Sequence, residues 1–194
     1  MKKTAFMLVV TLVAIVGFTA ANLFSAEDKE EKKEIKYSGN KQCIMCHKGI
    51  DDSVSVWTES KHAKAFESLA SDEAKKFSKD PQNAPVCLGC HTTGYGKEGG
   101  YASDLEDKKK EPVIGITCES CHGPGTDYNK VMMKAKDGLD VEAATAAGLT
   151  LKPTKETCLG CHNDKSPMFN KDEEFDFDKM FEKIKHGKKL EKSE

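Results

Sequence analysis

"CESCH", residues 118–122, sets two cysteines two residues apart and puts a histidine directly behind the second. The same pattern occurs three more times, as "CIMCH" (43–47), "CLGCH" (87–91) and "CLGCH" (158–162). All eight cysteines of the chain fall in these four copies. The spacing has a chemical reason. Two intervening residues set both thiols on one helical turn, where they add to the two vinyl groups of a haem. The following residue then turns its imidazole toward the iron. Each copy therefore reads as a covalent attachment site for haem c. The expected attachment residues are Cys43, Cys46, Cys87, Cys90, Cys118, Cys121, Cys158 and Cys161, with His47, His91, His122 and His162 as proximal iron ligands.

Two other uses of paired cysteines explain less. Four disulfides in an exported chain would leave the four adjoining histidines without a reason. Zinc sites space their histidines away from the cysteine pair, whereas here four of the six histidines abut one. Four haem c groups are the expected cofactors.

The chain opens with Met1, Lys2 and Lys3 and continues as an apolar run from Ala5 to Ala21. A basic start, an apolar middle and small residues at Thr19, Ala20 and Ala21 read as a secretory signal peptide over residues 1–21. An uncleaved membrane anchor is the rival, although the run is short for a full span. Residues 22–36 contain the mixed-charge stretch "EDKEEKKEIK" and read as a solvated tether. Residues 37–194 are expected to form the tetrahaem domain. Either leader implies export, and the expected location is the periplasm. The formal net charge is −2, and the predicted cleavage removes two lysines and no acid, leaving −4. No basic stripe with interleaved aromatics points to nucleic acid.

Hydrophobic residues make up 38% of the sequence, and many of them sit in the leader. The remainder offers only a thin core from its own side chains. Four haems in a domain this short leave about 40 residues for each. The expected fold is therefore mostly α, a small multihaem cytochrome with little or no sheet, in which the haems form the core.

Only His62 and His186 remain as histidine ligands for the opposite faces of four irons. His62 lies in "SVWTESKHAKAFESLA", which lacks Pro and Gly and reads as one helix capped by Asp51, Asp52 or Ser53. His62, Phe66 and Leu69 share one face of that helix. His186 ends "DEEFDFDKMFEKIKHG", where Phe177, Met180, Phe181 and Ile184 form a helical stripe that His186 does not join. Gly187 is expected to stop that helix. Two irons lack a histidine. The alternatives are a thioether from Met45, Met132, Met133, Met168 or Met180, a phenolate from Tyr95, Tyr101 or Tyr128, or an open five-coordinate iron.

The phrases "WTESKHAKAF" (57–66), "CHTTGYGKEGGY" (90–101) and "GITCESCHGPG" (115–125), set among the four attachment motifs, resemble the tetrahaem cytochrome c-554 family. The resemblance implies a mostly helical fold with stacked haem pairs in the periplasm. It also implies that His62 reaches across to the fourth haem, that His186 caps the third, and that the second is five-coordinate. One position departs from the family pattern. The family continues the third motif as "CHGPGSxH", and that last histidine ligates the first haem. Here the run is "CHGPGTDY", and Tyr128 holds the position. The first iron is left with Tyr128, a methionine or no protein ligand.

The leading expectation is electron transfer, with transient docking to redox partner proteins. Irons saturated by two histidines pass electrons without binding substrate. The alternative is an oxidoreductase in which an open iron binds a small nitrogen species such as nitric oxide, nitrite or hydroxylamine.

Overall fold

The computed structural model describes residues 34–135, 138–169, 172 and 175–189. The expected signal peptide, and all of the expected tether except residues 34–36, lie outside the described residues. Residues from Glu34 onward form one compact unit. Its regular elements are short helices, and the described residues contain no strand. Two isolated antiparallel bridges, Asp51 with Lys189 and Thr92 with Ile114, are the sheet-like pairings found there. No helix among the described residues is long and apolar enough to cross a membrane.

Every cysteine pair sits on a helical turn. Helices α1 (Asn40–His47), α5 (Pro85–His91) and α7 (Cys118–His122) each end on the motif histidine. Helix α10 (Lys155–Leu159) stops earlier, but its turn continues, because the His162 N–H donates to the Cys158 carbonyl at 2.9 Å. The remaining α-helices are α2 (Ser53–Glu59), α3 (Ala65–Ser68), α4 (Asp72–Lys75), α6 (Asp107–Lys110), α8 (Tyr128–Lys134), α9 (Val141–Ala146) and α11 (Phe177–Phe181). A short 3₁₀ turn covers Glu111–Val113.

Two expected helices are interrupted. Residues 53–69 do not form one helix: α2 ends at Glu59, Ser60 turns extended (ψ 156°), and α3 starts at Ala65. The Ser60 hydroxyl donates to the Trp57 carbonyl at 2.6 Å and accepts from Ala63 N–H at 3.3 Å. A serine side chain thereby replaces helix hydrogen bonds with local ones. The break lets the His62 carbonyl accept from Ile116 N–H at 3.0 Å, while the Trp57 indole donates to the Ile116 carbonyl at 2.8 Å. At the C-terminal end α11 stops at Phe181, five residues before His186, and not at Gly187. Three-residue bonds from Lys183 to Met180 and from Ile184 to Phe181 tighten the last turn and close the helix.

The protein's own apolar core is small. One cluster joins Leu69, Leu88, Tyr101 and Val113, and a second joins Tyr128, Ala144 and Leu149. Apolar side chains beside the cysteines remain exposed, with Met45 at 76% and Val86 at 75%. Buried polar groups therefore carry much of the long-range fastening. The Thr93 hydroxyl donates to the Gly115 carbonyl at 2.8 Å and accepts from Thr117 N–H at 2.9 Å, joining the second attachment site to the third. Gly99 (φ 76°) lies against the backbone of Tyr37, where no side chain fits, and Tyr37 N–H donates to the Glu98 carbonyl at 3.0 Å.

Glu119, inside the third motif, is 1% exposed. One of its oxygens accepts from Ser38 N–H (2.8 Å), the Ser38 hydroxyl (3.0 Å) and Gly125 N–H (2.6 Å), and the other accepts from Gly39 N–H (2.7 Å). A buried carboxylate so surrounded keeps its charge compensated, and it clamps the segment entering α1 to the loop leaving α7. Glu119→Ala leaves three backbone N–H groups without a partner. Its expected cost is about 3–5 kcal/mol, read as a lower guanidinium midpoint. An unchanged midpoint would refute the clamp.

Candidate functional site

Each motif histidine is placed by its helical turn, and in three of the four the ring is then oriented by a hydrogen bond at Nδ1. His47 Nδ1 lies 2.9 Å from Asp51 Oδ2, one helical turn on. His91 Nδ1 donates to the Ala65 carbonyl at 2.7 Å, and His122 Nδ1 to the Thr150 carbonyl at 2.8 Å. His186, outside the motifs, donates from Nδ1 to the Ile184 carbonyl at 2.8 Å. With Nδ1 carrying the proton, Nε2 keeps its lone pair for a metal. His162 is held differently: the Phe175 ring stacks on it at 4.9 Å, 21° from parallel.

The two histidines outside the motifs each meet a motif histidine. His62 faces His162 with ring centroids 6.0 Å apart and planes at 60°. His186 faces His122 at 5.8 Å and 68°. At about 2 Å per metal–imidazole bond, two axial rings on one metal have centroids about 6 Å apart. The spacing in both pairs suits a metal between the rings. Burial and the neighbouring His162 hold His62 below its ordinary pKa, and burial does the same for His162. For His122, burial outweighs the hydrogen bond to Thr150 and also favours the neutral ring. Neutral imidazole is the form that ligates a metal.

The cysteines of different motifs are also neighbours. Cys43 lies within electrostatic reach of Cys118, and Cys90 of Cys161. Cys121 and Cys158 lie within electrostatic reach of each other. Burial pushes the Cys121 thiol up to about 11 and the Cys161 thiol up to about 12, so both are neutral near pH 7. Among the described residues, no three Cys, His, Asp or Glu side chains converge to hold a bare ion. Two of the motif histidines face a second imidazole, and each motif sets two thiols on one turn, a donor set that fits a doubly tethered iron group.

Tyr128 is 3% exposed, packs with Ala144 and Leu149, and donates its hydroxyl to the Gly123 carbonyl at 3.1 Å. Burial first, then Cys43 and Glu119, push its pKa well above the ordinary phenol value and oppose a phenolate. Of the candidate methionines, Met132 packs against the Tyr128 cluster, while Met45, Met133, Met168 and Met180 are exposed. Tyr95 and Tyr101 sit together in the first apolar cluster, their centroids 6.4 Å apart.

The orienting groups were not singled out from the sequence. Asp51 follows His47 at the i, i+4 spacing, which is a usable signal. Ala65 and Thr150 act through backbone carbonyls, which side-chain identity does not reveal. Phe175 stacks on a histidine thirteen residues earlier in the chain, and no local periodicity points to that contact.

Comparison with known proteins agrees with this geometry. The family model described as "Cytochrome c554 and c-prime" matches residues 42–123, a stretch that holds the first three attachment motifs. The chain is similar to cytochrome c-554 of Nitrosomonas europaea, with 32% identity over 161 residues, covering 75% of this chain and 66% of that protein. It is also similar to the multiheme cytochrome MtrA of Shewanella baltica, with 31% identity over 102 residues, covering 46% of this chain and 27% of that protein. The chain thus spans just under two thirds of the first relative's length and about a quarter of the second's. The solved structure of reduced cytochrome c554 from Nitrosomonas europaea superposes with a TM-score of 0.55 at 30% identity, covering 69% of each chain. Motif chemistry, paired imidazoles and these similarities agree, and the chain belongs to the cytochrome c554 family of proteins that carry covalent c-type haem.

Proposed function

We propose that this protein carries electrons between redox partner proteins in the periplasm by means of four haem c groups. The observation that carries the proposal is the meeting of both non-motif histidines with motif histidines at axial-pair spacing. Cys158 and Cys161 would hold the fourth haem, with His162 and His62 on its two faces. Cys118 and Cys121 would hold the third, between His122 and His186. Cys87, Cys90 and His91 would hold the second, and Cys43, Cys46 and His47 the first. When bound, the groups supply one-electron transfer. The protein's part is to anchor them, fix their ligands and set their order. The cysteine neighbours support a second–fourth–third–first sequence of attachment sites. Residues 1–21 as a signal peptide, residues 22–36 as a tether and residues 37–194 as the tetrahaem domain complete the proposal.

Tyr128 serves as a packing residue, since its hydroxyl is engaged by Gly123 within the second apolar cluster. The second site has a different character. All six histidines are accounted for, and none is left to face His91. This shortage favours one rival, in which a five-coordinate second haem binds a small nitrogen species and the protein acts as an oxidoreductase.

Purified protein is expected to show four haem c per chain by the pyridine haemochrome assay, and two or fewer would overturn the attachment scheme. His62→Ala is expected to convert one low-spin ferric haem to high-spin in electron paramagnetic resonance, while an unchanged spin count would remove His62 as a ligand. Tyr128→Phe is expected to leave that spectrum unaltered and to cost about 1 kcal/mol in denaturation. A new high-spin signal would restore Tyr128 as a ligand. Carbon monoxide binding without turnover of nitric oxide, nitrite or hydroxylamine supports the carrier, and turnover with a reductant supports the enzyme.

A further inference from the structure

His186 stands on an exposed stretch five residues beyond the end of α11, where no helix holds it. Its bond to the Ile184 carbonyl orients the ring but is local, so it does not place the ring opposite His122. That placement comes from the far side of the sequence. Asp52 Oδ1 accepts from Gly187 N–H at 2.7 Å and from Lys188 N–H at 2.9 Å. Asp52 N–H returns a bond to the Lys188 carbonyl at 3.0 Å, and Asp51 bridges Lys189. Gly187, at φ 102°, supplies the turn that aims both N–H groups at one oxygen.

Asp52 is the N-cap residue of α2, a position where aspartate ordinarily accepts from its own helix. Here its side chain makes no such capping bond and reaches a segment 135 residues away. Its neighbour Asp51 meanwhile holds His47. We infer that Asp52 is a positioning residue for the third iron. Its carboxylate fastens residues 187–188 and thereby keeps His186 opposite His122. The inference rests on the proposed ligation of that iron by His186. Groups that orient a metal ligand typically change metal affinity about 10–100-fold when removed.

The test uses the four-haem holoprotein and two readouts, ferric spin state by electron paramagnetic resonance and carbon monoxide bound per ferrous molecule. His186→Ala is the reference and is expected to add one high-spin haem and one carbon monoxide site. Asp52→Ala is expected to produce the same new signal, in full or as a mixture with the low-spin form. Asp52→Ser offers α2 an N-cap oxygen but shortens the reach to Gly187, and it is expected to behave like Asp52→Ala with the helix intact. Asp52→Asn keeps the accepting oxygen and is expected to retain the native spectrum. If His186→Ala changes nothing, the ligation of the third iron by His186 fails, and the inference falls with it. If His186→Ala adds the signal while Asp52→Ala and Asp52→Ser do not, the inference alone is overturned. An Asp52→Asn variant that loses the low-spin signal as fully as Asp52→Ala also overturns it.

Discussion

An imidazole presents one nitrogen to a metal in a defined direction only when its other nitrogen is held. In this protein four of the six histidines have Nδ1 bonded, by Asp51 or by the carbonyls of Ala65, Thr150 and Ile184. Much of the architecture serves those bonds. The break at Ser60 ends α2 and lets the chain turn, so that α3 begins at Ala65, whose carbonyl meets His91. The loop after α9 brings Thr150 to His122. Rigid placement of the rings matters because the proposed ligands come from distant parts of the sequence, and each must arrive with a set orientation.

The second constraint is a shortage of apolar side chains. Two small clusters cannot order a chain of this length, and the fold compensates with buried polar junctions. Glu119 collects four hydrogen bonds from Ser38, Gly39 and Gly125, and Thr93 ties the second attachment site to the third. Such junctions are directional, so they hold register where non-directional apolar contact would not. The exposed Met45 and Val86 beside their cysteines fit the proposal that tethered haem faces supply the missing apolar surface.

Tyr128 stands where the resemblance leads one to expect a histidine, and packing holds it there. The ring fills the cluster with Ala144 and Leu149, and the hydroxyl finds a carbonyl within its own loop. The first iron is thereby proposed to differ from the third and fourth, for which histidine pairs are proposed. Differences in axial ligation are the means by which one chain holds similar groups at different potentials.

The sequence by itself determined the attachment chemistry, the helical class and the family, because a cysteine pair and its histidine interact within one turn and local spacing specifies that turn completely. It also exposed the scarcity of distal ligands, since six histidines can simply be counted. Only the tertiary structure decided how His62 and His186 are carried. The sequence suggested one helix through His62 and a helix running up to His186. The chain instead breaks at Ser60 and leaves α11 at Phe181. Both departures answer to partners far along the chain, Ile116 for the His62 segment and Asp52 for the His186 segment. Periodicity reports which face of an element is apolar. It carries no record of a hydrogen bond to a backbone group on another element, and such bonds are what place these two rings.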